Sequence, residues 1–151
     1  MPTPIGFDPS TLNQAAASPY GLGEIREYNG EEFIFVKVVD AGVAAGDVCE
    51  LASATAYSVT KSLGASTKGR KALGVAKGTI TVSQYGFLLK RGFYASVKDA
   101  ANGCTAGSYL MPHDATAGNA KNITLGTNDA YAFGFCVTSG AGGVCAAYVD
   151  C

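Results

Sequence analysis

The sequence predicts an all-β protein: a compact sandwich or barrel built from many short strands in two similar halves. Short runs rich in β-branched and aromatic residues are separated by turn residues throughout most of the chain. The chain holds 20 glycines and 5 prolines, a composition that favours turns over long helices. Short motifs also recur at a nearly constant spacing, which indicates a duplication.

The repeat is visible in two pairs of motifs. AGDV at residues 45–48 is matched by AGSY at 106–109, and ALGV at 72–75 is matched by AFGF at 132–135. Gly107 follows Gly46 by 61 residues, and Gly134 follows Gly74 by 60 residues. Two copies are too few for a solenoid but suit one domain with two similar halves. The alternative is chance resemblance, because the motifs are short and rich in Ala and Gly.

The strands follow from local composition and alternation. The final hairpin, with its turn at residues 139–143, is the clearest local element, and a mostly buried strand is predicted between Asn29-Gly30 and Asp40. The run 14–18 favours a helix but is too short to be stable alone. The predicted strands span residues 32–39, 47–51, 57–60, 72–76, 79–82, 87–90, 93–97, 109–111, 122–125, 131–137 and 144–149.

An extended N-terminal arm is predicted over residues 1–30, ahead of a β-barrel domain over residues 31–151. Residues 1–23 contain four of the five prolines, which lack a backbone donor and exclude a central strand or long helix. The same stretch carries apolar side chains that a disordered tail would lack. We therefore expect it to dock on a partner chain, and the alternative is that it folds back on its own domain. The predicted partner-binding residues are Pro4, Ile5, Phe7, Tyr20 and Leu22.

Charge is scarce and unevenly placed. Charged residues make up 15% of the chain, which suggests that part of the surface is covered in an assembly. Residues 1–50 carry eight acids and two bases, whereas residues 51–98 carry eight bases and no acid. A basic stretch can attract nucleic acid, but these bases are scattered and form no recognised nucleic-acid module. Complementary charge between subunits or between halves of the fold is the favoured interpretation, and no nucleic-acid partner is expected.

Neither a membrane span nor secretion is expected. No apolar run approaches the length of a membrane span, and the N-terminus lacks the basic start and apolar core of a signal peptide. The five cysteines include no closely spaced pair typical of zinc or redox sites. A hairpin that is symmetric about its turn would place Cys136 opposite Cys145, where a disulfide is possible but two thiols are favoured in a reducing cytosol.

No catalytic residue, metal or cofactor is predicted. The single histidine, His113, lies in a turn-like stretch beside Asp114. The sequence contains neither a nucleophile elbow nor a phosphate loop nor a cluster with metal-ligand spacing. Asp40 and Asp99 occupy matching places in the repeat, which favours a structural role in turns over an acid–base pair.

Three stretches carry a family resemblance: DAGVAAGDV at residues 40–48, KALGVAKG at 71–78 and QYGFLLKRG at 84–92. Together, over about residues 31–149, the chain resembles the small head decoration, or cement, proteins of tailed bacteriophages. The resemblance implies a β-barrel of the β-tulip type on the outer surface of an icosahedral shell, made in the host cytoplasm. It implies the major capsid protein as partner, and self-association as a homotrimer or another homo-oligomer. The second copy of the repeat and the C-terminal cysteines depart from the family pattern and leave the oligomeric state open.

Two functions from different classes remain. The first is a non-enzymatic structural protein that binds and stabilises a phage shell. The second is a virion-surface binding module, such as a head fibre or tail adhesin base, that recognises a host-surface carbohydrate. Exposed aromatic platforms would favour the second function, and the candidate side chains are Tyr85, Tyr94, Tyr109 and Tyr148.

Overall fold

The fold is a single ten-stranded sheet, seen in a computed structural model that describes residues 8–9, 12–17, 19–53, 56–63, 71–124, 126 and 129–151. Short 3-10 turns lie at Ala100–Asn102 and Asp129–Tyr131, and no helix in the described ranges has the length and apolarity needed to cross a membrane. The all-β prediction is confirmed. The strands are β1 (Ile25–Tyr28), β2 (Glu31–Val38), β3 (Val48–Ser53), β4 (Ser58–Lys61), β5 (Ala72–Ala76), β6 (Tyr85–Lys98), β7 (Tyr109–Pro112), β8 (Ala120–Asn122), β9 (Gly134–Ala141) and β10 (Val144–Asp150).

Five strands close a small barrel, which we call the first barrel. They pair in the order β2, β4, β3, β5 and β6, and β6 pairs with β2 to complete the ring. The β2–β4 contact is parallel and the other contacts are antiparallel. Because the ring is closed, the backbone N–H and C=O groups of these strands can form hydrogen bonds to neighbouring strands without leaving an open sheet edge.

The second barrel repeats this arrangement and uses β6 again. The strands β6, β10, β9, β7 and β8 pair in that order, and a parallel bridge between Asp99 and Ala120 leads back from β8 to the end of β6. The first half of β6 pairs with β2, and its second half pairs with β10. The two barrels therefore share one continuous strand of 14 residues.

The backbone confirms the predicted duplication in detail. The Gly46 N–H donates to the Ala76 carbonyl at 2.7 Å, and the Gly107 N–H donates to the Cys136 carbonyl at 2.8 Å. The two glycines have φ values of +88° and +84°, which glycine adopts without steric cost. A Cβ on Gly46 would lie 2.3 Å from the Ser96 carbonyl oxygen, so this position also needs the missing side chain for close approach.

Two apolar clusters fill the molecule. The interior of the first barrel is formed by one face of its strands, with Ile34, Val36 and Val38 supplied by β2. The second cluster joins the other face of these strands, including Phe33 and Phe35, to the interior of the second barrel. The two barrels therefore form one domain with a continuous core, in which both faces of β2 are buried.

Several strand predictions need correction. The predicted strand at 79–82 is wrong, because Ile80 makes only an isolated bridge to Val43 and Ser83 adopts φ +66°. The predicted strands at 87–90 and 93–97 are one strand, β6, which passes through Gly92. Strand β1 was not predicted, and it pairs with β2 inside the stretch assigned to the arm.

Opposite charges pair within the chain, in line with complementary charge between its segments. The buried Asp47 carboxylate lies 2.6 Å from the Lys98 ammonium and 3.3 Å from the Lys61 ammonium. Glu31 and Lys77 form another pair at 2.7 Å. In each pair an acid from residues 1–50 meets a base from residues 51–98, which explains the uneven charge distribution of the sequence.

Candidate interaction surface

A row of four aromatic residues crosses the outside of the second barrel. In the strand register, Phe93 on β6 lies opposite Tyr148 on β10. Tyr148 lies opposite Phe135 on β9, and Phe135 lies opposite Tyr109 on β7. Neighbouring strands are about 4.8 Å apart, so the row is roughly 14 Å long. We call these four residues the aromatic row.

Three of the four residues of the aromatic row are exposed, and Tyr148 is partly buried. Phe93 is 48% exposed, Phe135 is 42% exposed and Tyr109 is 58% exposed. The Phe135 and Tyr148 rings stack with their centroids 5.7 Å apart. Val137, which is 45% exposed, adds to the apolar surface. Uncovered apolar surface of this kind marks interaction sites more often than isolated exposed residues do.

One ion pair borders the row. Arg91 and Asp150 lie opposite each other in the β6–β10 register, and their charged groups are 3.8 Å apart. The Arg91 guanidinium also donates a hydrogen bond to the Tyr148 hydroxyl, which together with the Asp150 charge raises the pKa of Arg91. The hydroxyl end of the partly buried Tyr148 side chain is thus held by Arg91.

The first barrel contains an equivalent row that is fully buried. Phe33 lies opposite Leu89, Leu89 opposite Val75, and Val75 opposite Val48. Their exposed fractions are 1%, 0%, 0% and 0%. These residues belong to the cluster that includes the second-barrel interior, and Leu12, Ala17 and Tyr20 pack against that cluster. In the first barrel the row is thus a packing surface covered by protein, and in the second barrel it is uncovered.

The structure places the four tyrosines proposed as a sugar-binding platform in different surroundings. Tyr109 and Tyr148 lie in the aromatic row. Tyr94 is half-buried beside Lys77, and burial raises the pKa of its hydroxyl. Tyr85 stacks on Phe35, away from the row. Sequence reasoning missed Phe93 and Phe135, although the 60-residue repeat maps Phe33 onto Phe93 and Val75 onto Phe135.

The predicted partner-binding residues of the N-terminal stretch are not brought together. Pro4, Ile5 and Phe7 lie outside the described residues. The Tyr20 ring packs against Phe35 and Phe87, with both centroid distances at 5.2 Å. Leu22 is 37% exposed. Tyr20 therefore packs on its own domain, as the alternative for the arm expected, whereas docking by the preceding residues stays a prediction.

Three buried thiols meet inside the second barrel. Cys145 shares hydrogen bonds with Cys104 and Cys136, and all three are free thiols. Donation by the Cys104 thiol lowers the pKa of Cys145, whereas burial raises the pKa of Cys136 to about 11. The position opposite Cys145 that a symmetric hairpin would give Cys136 is wrong: Cys136 lies opposite Ala147, because two bulges shift the β9–β10 register. Where the chain is described, no three metal-ligating side chains form a group that could hold an ion.

The other titratable candidates have structural partners. The His113 ring accepts hydrogen bonds from the Ala115 and Thr116 N–H groups through Nδ1, at 3.1 and 3.0 Å. The Asp99 carboxylate accepts from the Gly103 and Cys104 N–H groups at 2.9 and 3.1 Å. Both side chains stabilise turns, as was favoured for the aspartate from its place in the repeat.

No protein-family model matches the chain, and no curated protein matches it either.

Proposed function

We propose that this chain is a non-enzymatic structural protein that binds the outside of a bacteriophage capsid shell and stabilises it. The aromatic row carries the proposal, because it is an uncovered apolar surface on a domain whose equivalent surface is buried against protein. Such a domain functions by assembly with other protein chains. The sequence resemblance to head decoration proteins supplies the phage shell as the assembly, and the β-barrel fold is the one that resemblance implies.

Shell attachment is assigned to the N-terminal stretch. Tyr20 fixes the root of this stretch by packing on Phe35 and Phe87. Pro4, Ile5 and Phe7 precede that root and are the proposed contacts with the major capsid protein. Prolines reduce the entropy that a segment loses on docking, and an extended segment can add to a sheet edge of its partner. The protein would then reside on the outer surface of the virion after synthesis in the host cytoplasm.

Co-sedimentation with purified shells tests attachment. Full-length protein should pellet with shells at saturable stoichiometry, and a variant lacking residues 2–7 should remain in the supernatant with an unchanged melting temperature. A matched variant with Val82→Ser removes an exposed apolar residue outside the N-terminal stretch and should bind shells. The proposal fails if full-length protein never binds shells, and the assignment to the N-terminus fails if the deletion variant binds normally. Cryo-microscopy of saturated particles would locate the sites on the lattice.

The second candidate is a virion-surface module that binds a host carbohydrate. The observation in its favour is the row itself, since a line of exposed rings with the Tyr109 and Tyr148 hydroxyls can stack against sugar faces and donate hydrogen bonds to them. Titration calorimetry with a panel of host-surface polysaccharides tests it. Saturable binding that is lost in Phe135→Ser would select this function, and its absence across the panel would leave the structural role.

A further inference from the structure

The aromatic row has a self-complementary order. Read from β6 to β7 its residues alternate as Phe93, Tyr148, Phe135 and Tyr109. A two-fold axis parallel to the strands and between β10 and β9 reverses this order. Next to the axis, Tyr148 then faces Phe135 of the second copy, and Phe93 and Tyr109 flank this contact on the curved surface of the barrel. Each phenyl ring thus lies on the side of a phenol ring of the second copy, and no two hydroxyls are forced together.

We infer that the aromatic row is a homodimer interface, in which two copies pack their second barrels row against row about this axis. Such an isologous contact requires a patch that complements itself, and the alternating order satisfies that requirement. Offset or edge-to-face packing of phenyl and phenol rings is favourable, and it leaves each hydroxyl at the rim. The inference extends the proposed function by naming the self-partner and the surface that it occupies.

Charge favours a second copy over other occupants. The formal net charge of the chain is −1, so two copies repel each other only weakly. The charges at the edge of the row are Arg91 and the two acids opposite it in the strand registers, Asp150 and Glu32, and Arg91 pairs with Asp150. A sugar site usually adds several convergent polar groups to its aromatic rings. Around this row the exposed neighbours Ala95, Ser96 and Thr138 are small and neutral, which suits close contact between two protein faces.

The exposed area of the aromatic row also fits the centre of a protein–protein interface. At the observed exposures Phe93, Phe135, Tyr109 and Val137 present roughly 350 Å² of accessible surface, taking each aromatic residue as about 200 Å². A stable interface buries about 800 Å² per partner, with an apolar centre and a polar rim. The row supplies nearly half of one side, and the small neutral residues around it supply the rim.

Sedimentation velocity over a wide concentration range tests the inference with the full-length chain. We expect a reversible monomer–dimer equilibrium. Phe135→Asp and Tyr148→Lys, tested separately, should each weaken dimerisation by at least about 30-fold, the effect of losing a residue at an interface centre. The control is Val82→Ser, which alters a residue that is 49% exposed outside the row and should dimerise like the parent protein.

Mixing the two variants supplies a readout that a folding defect cannot mimic. In the mixed dimer the new carboxylate at position 135 faces the new ammonium at position 148, and the other Tyr148–Phe135 contact is retained. An equimolar mixture should therefore form dimers that neither variant forms alone. The inference is overturned if the parent protein stays monomeric, if the two variants dimerise like the parent, or if their mixture remains monomeric.

These outcomes are separable from those of the proposed function. Dimerisation is measured without shells, and shell binding is measured by co-sedimentation. A monomer that binds shells would overturn only the interface inferred here. A dimer that never binds shells would overturn only the proposed function.

Discussion

Replacing Asp47 with asparagine should destabilise the protein strongly, because this carboxylate joins the two halves of the chain. Its exposed fraction is 1%. One oxygen lies 2.6 Å from the Lys98 ammonium, and the other accepts the Ala44 N–H at 2.8 Å and lies 3.3 Å from the Lys61 ammonium. In Asp47→Asn the amide oxygen can still accept from Ala44. The amide NH₂ must then face the Lys98 ammonium, so donor meets donor in a buried site.

The expected loss can be estimated from burial. Breaking a buried ion pair by removing one partner costs about 3–5 kcal/mol. Here the lysine side chains are 34% and 31% exposed, so they can turn toward water and recover part of their hydration. We therefore expect a loss of about 2–3 kcal/mol in the free energy of unfolding. For a chain of 151 residues this corresponds to a fall of about 5–10 °C in melting temperature.

Guanidinium denaturation followed by circular dichroism measures this loss, with Asp150→Asn as the matched control. That substitution breaks an ion pair whose side chains are 56% and 66% exposed, so it should lower the melting temperature much less than Asp47→Asn does. A double-mutant cycle with Lys98→Met isolates the pairwise contribution. If Asp47→Asn costs no more than Asp150→Asn, the buried carboxylate does not stabilise the fold and the reasoning is refuted.

Three further predictions concern packing and the thiols. Gly134→Ala should destabilise the protein by several kcal/mol, because the added Cβ would lie 2.2 Å from the Tyr148 carbonyl oxygen and must push β9 from β10. Gly21→Ala, whose Cβ would meet its nearest atom at 3.7 Å, should be nearly neutral. Similar melting temperatures for the two variants would contradict this prediction. Burial raises the pKa of Cys136 from 9.0 to about 11 and that of Cys151 to about 12, so the folded state retains thiol protons that the unfolded chain loses. The free energy of unfolding should therefore fall as pH rises from about 9 towards 11, and Cys136→Ala should reduce the fall. A denaturation midpoint that stays constant or rises over this pH range would disprove the prediction. Because four of the five cysteines are buried, a thiol reagent at about pH 8 should react slowly with the native protein. After unfolding, the same reagent should titrate five thiols. Rapid labelling of several thiols in the native protein would argue against the buried cluster.

The duplication could be predicted from the sequence because its glycines are irreplaceable. Gly46 and Gly107 both need positive φ in the same kind of turn, and Gly74 and Gly134 both lie where a Cβ would meet a neighbouring strand. These constraints preserve the spacing of the motifs while the residues between them differ. The all-β class was equally predictable, because it depends on composition and turn chemistry repeated along the whole chain.

The aromatic row and the shared strand could not be predicted in the same way. Alternation gives the residues on one face of a strand but does not tell which face is covered, so Phe33 and Phe93 look alike in the sequence and differ in burial. Gly92 looked like a strand break, yet φ +143° lets β6 continue past the Glu31 side chain, which lies 2.8 Å from where a Cβ would be. Bulges place Cys136 opposite Ala147 instead of Cys145 in the strand register, and no local signal in the sequence marks them.

The strand common to both barrels also sets an order for folding on the ribosome. Once residues up to 91 have emerged, the first barrel holds all five of its strands, including the half of β6 that pairs with β2. Synthesis then extends β6 directly from a strand that can already be paired, so its second half emerges in line with that strand as a template. Strand β10, made last, returns to that template across about 50 residues. The second barrel thus starts from a structured edge and avoids part of the entropic cost of nucleation, whereas the first barrel must nucleate unaided.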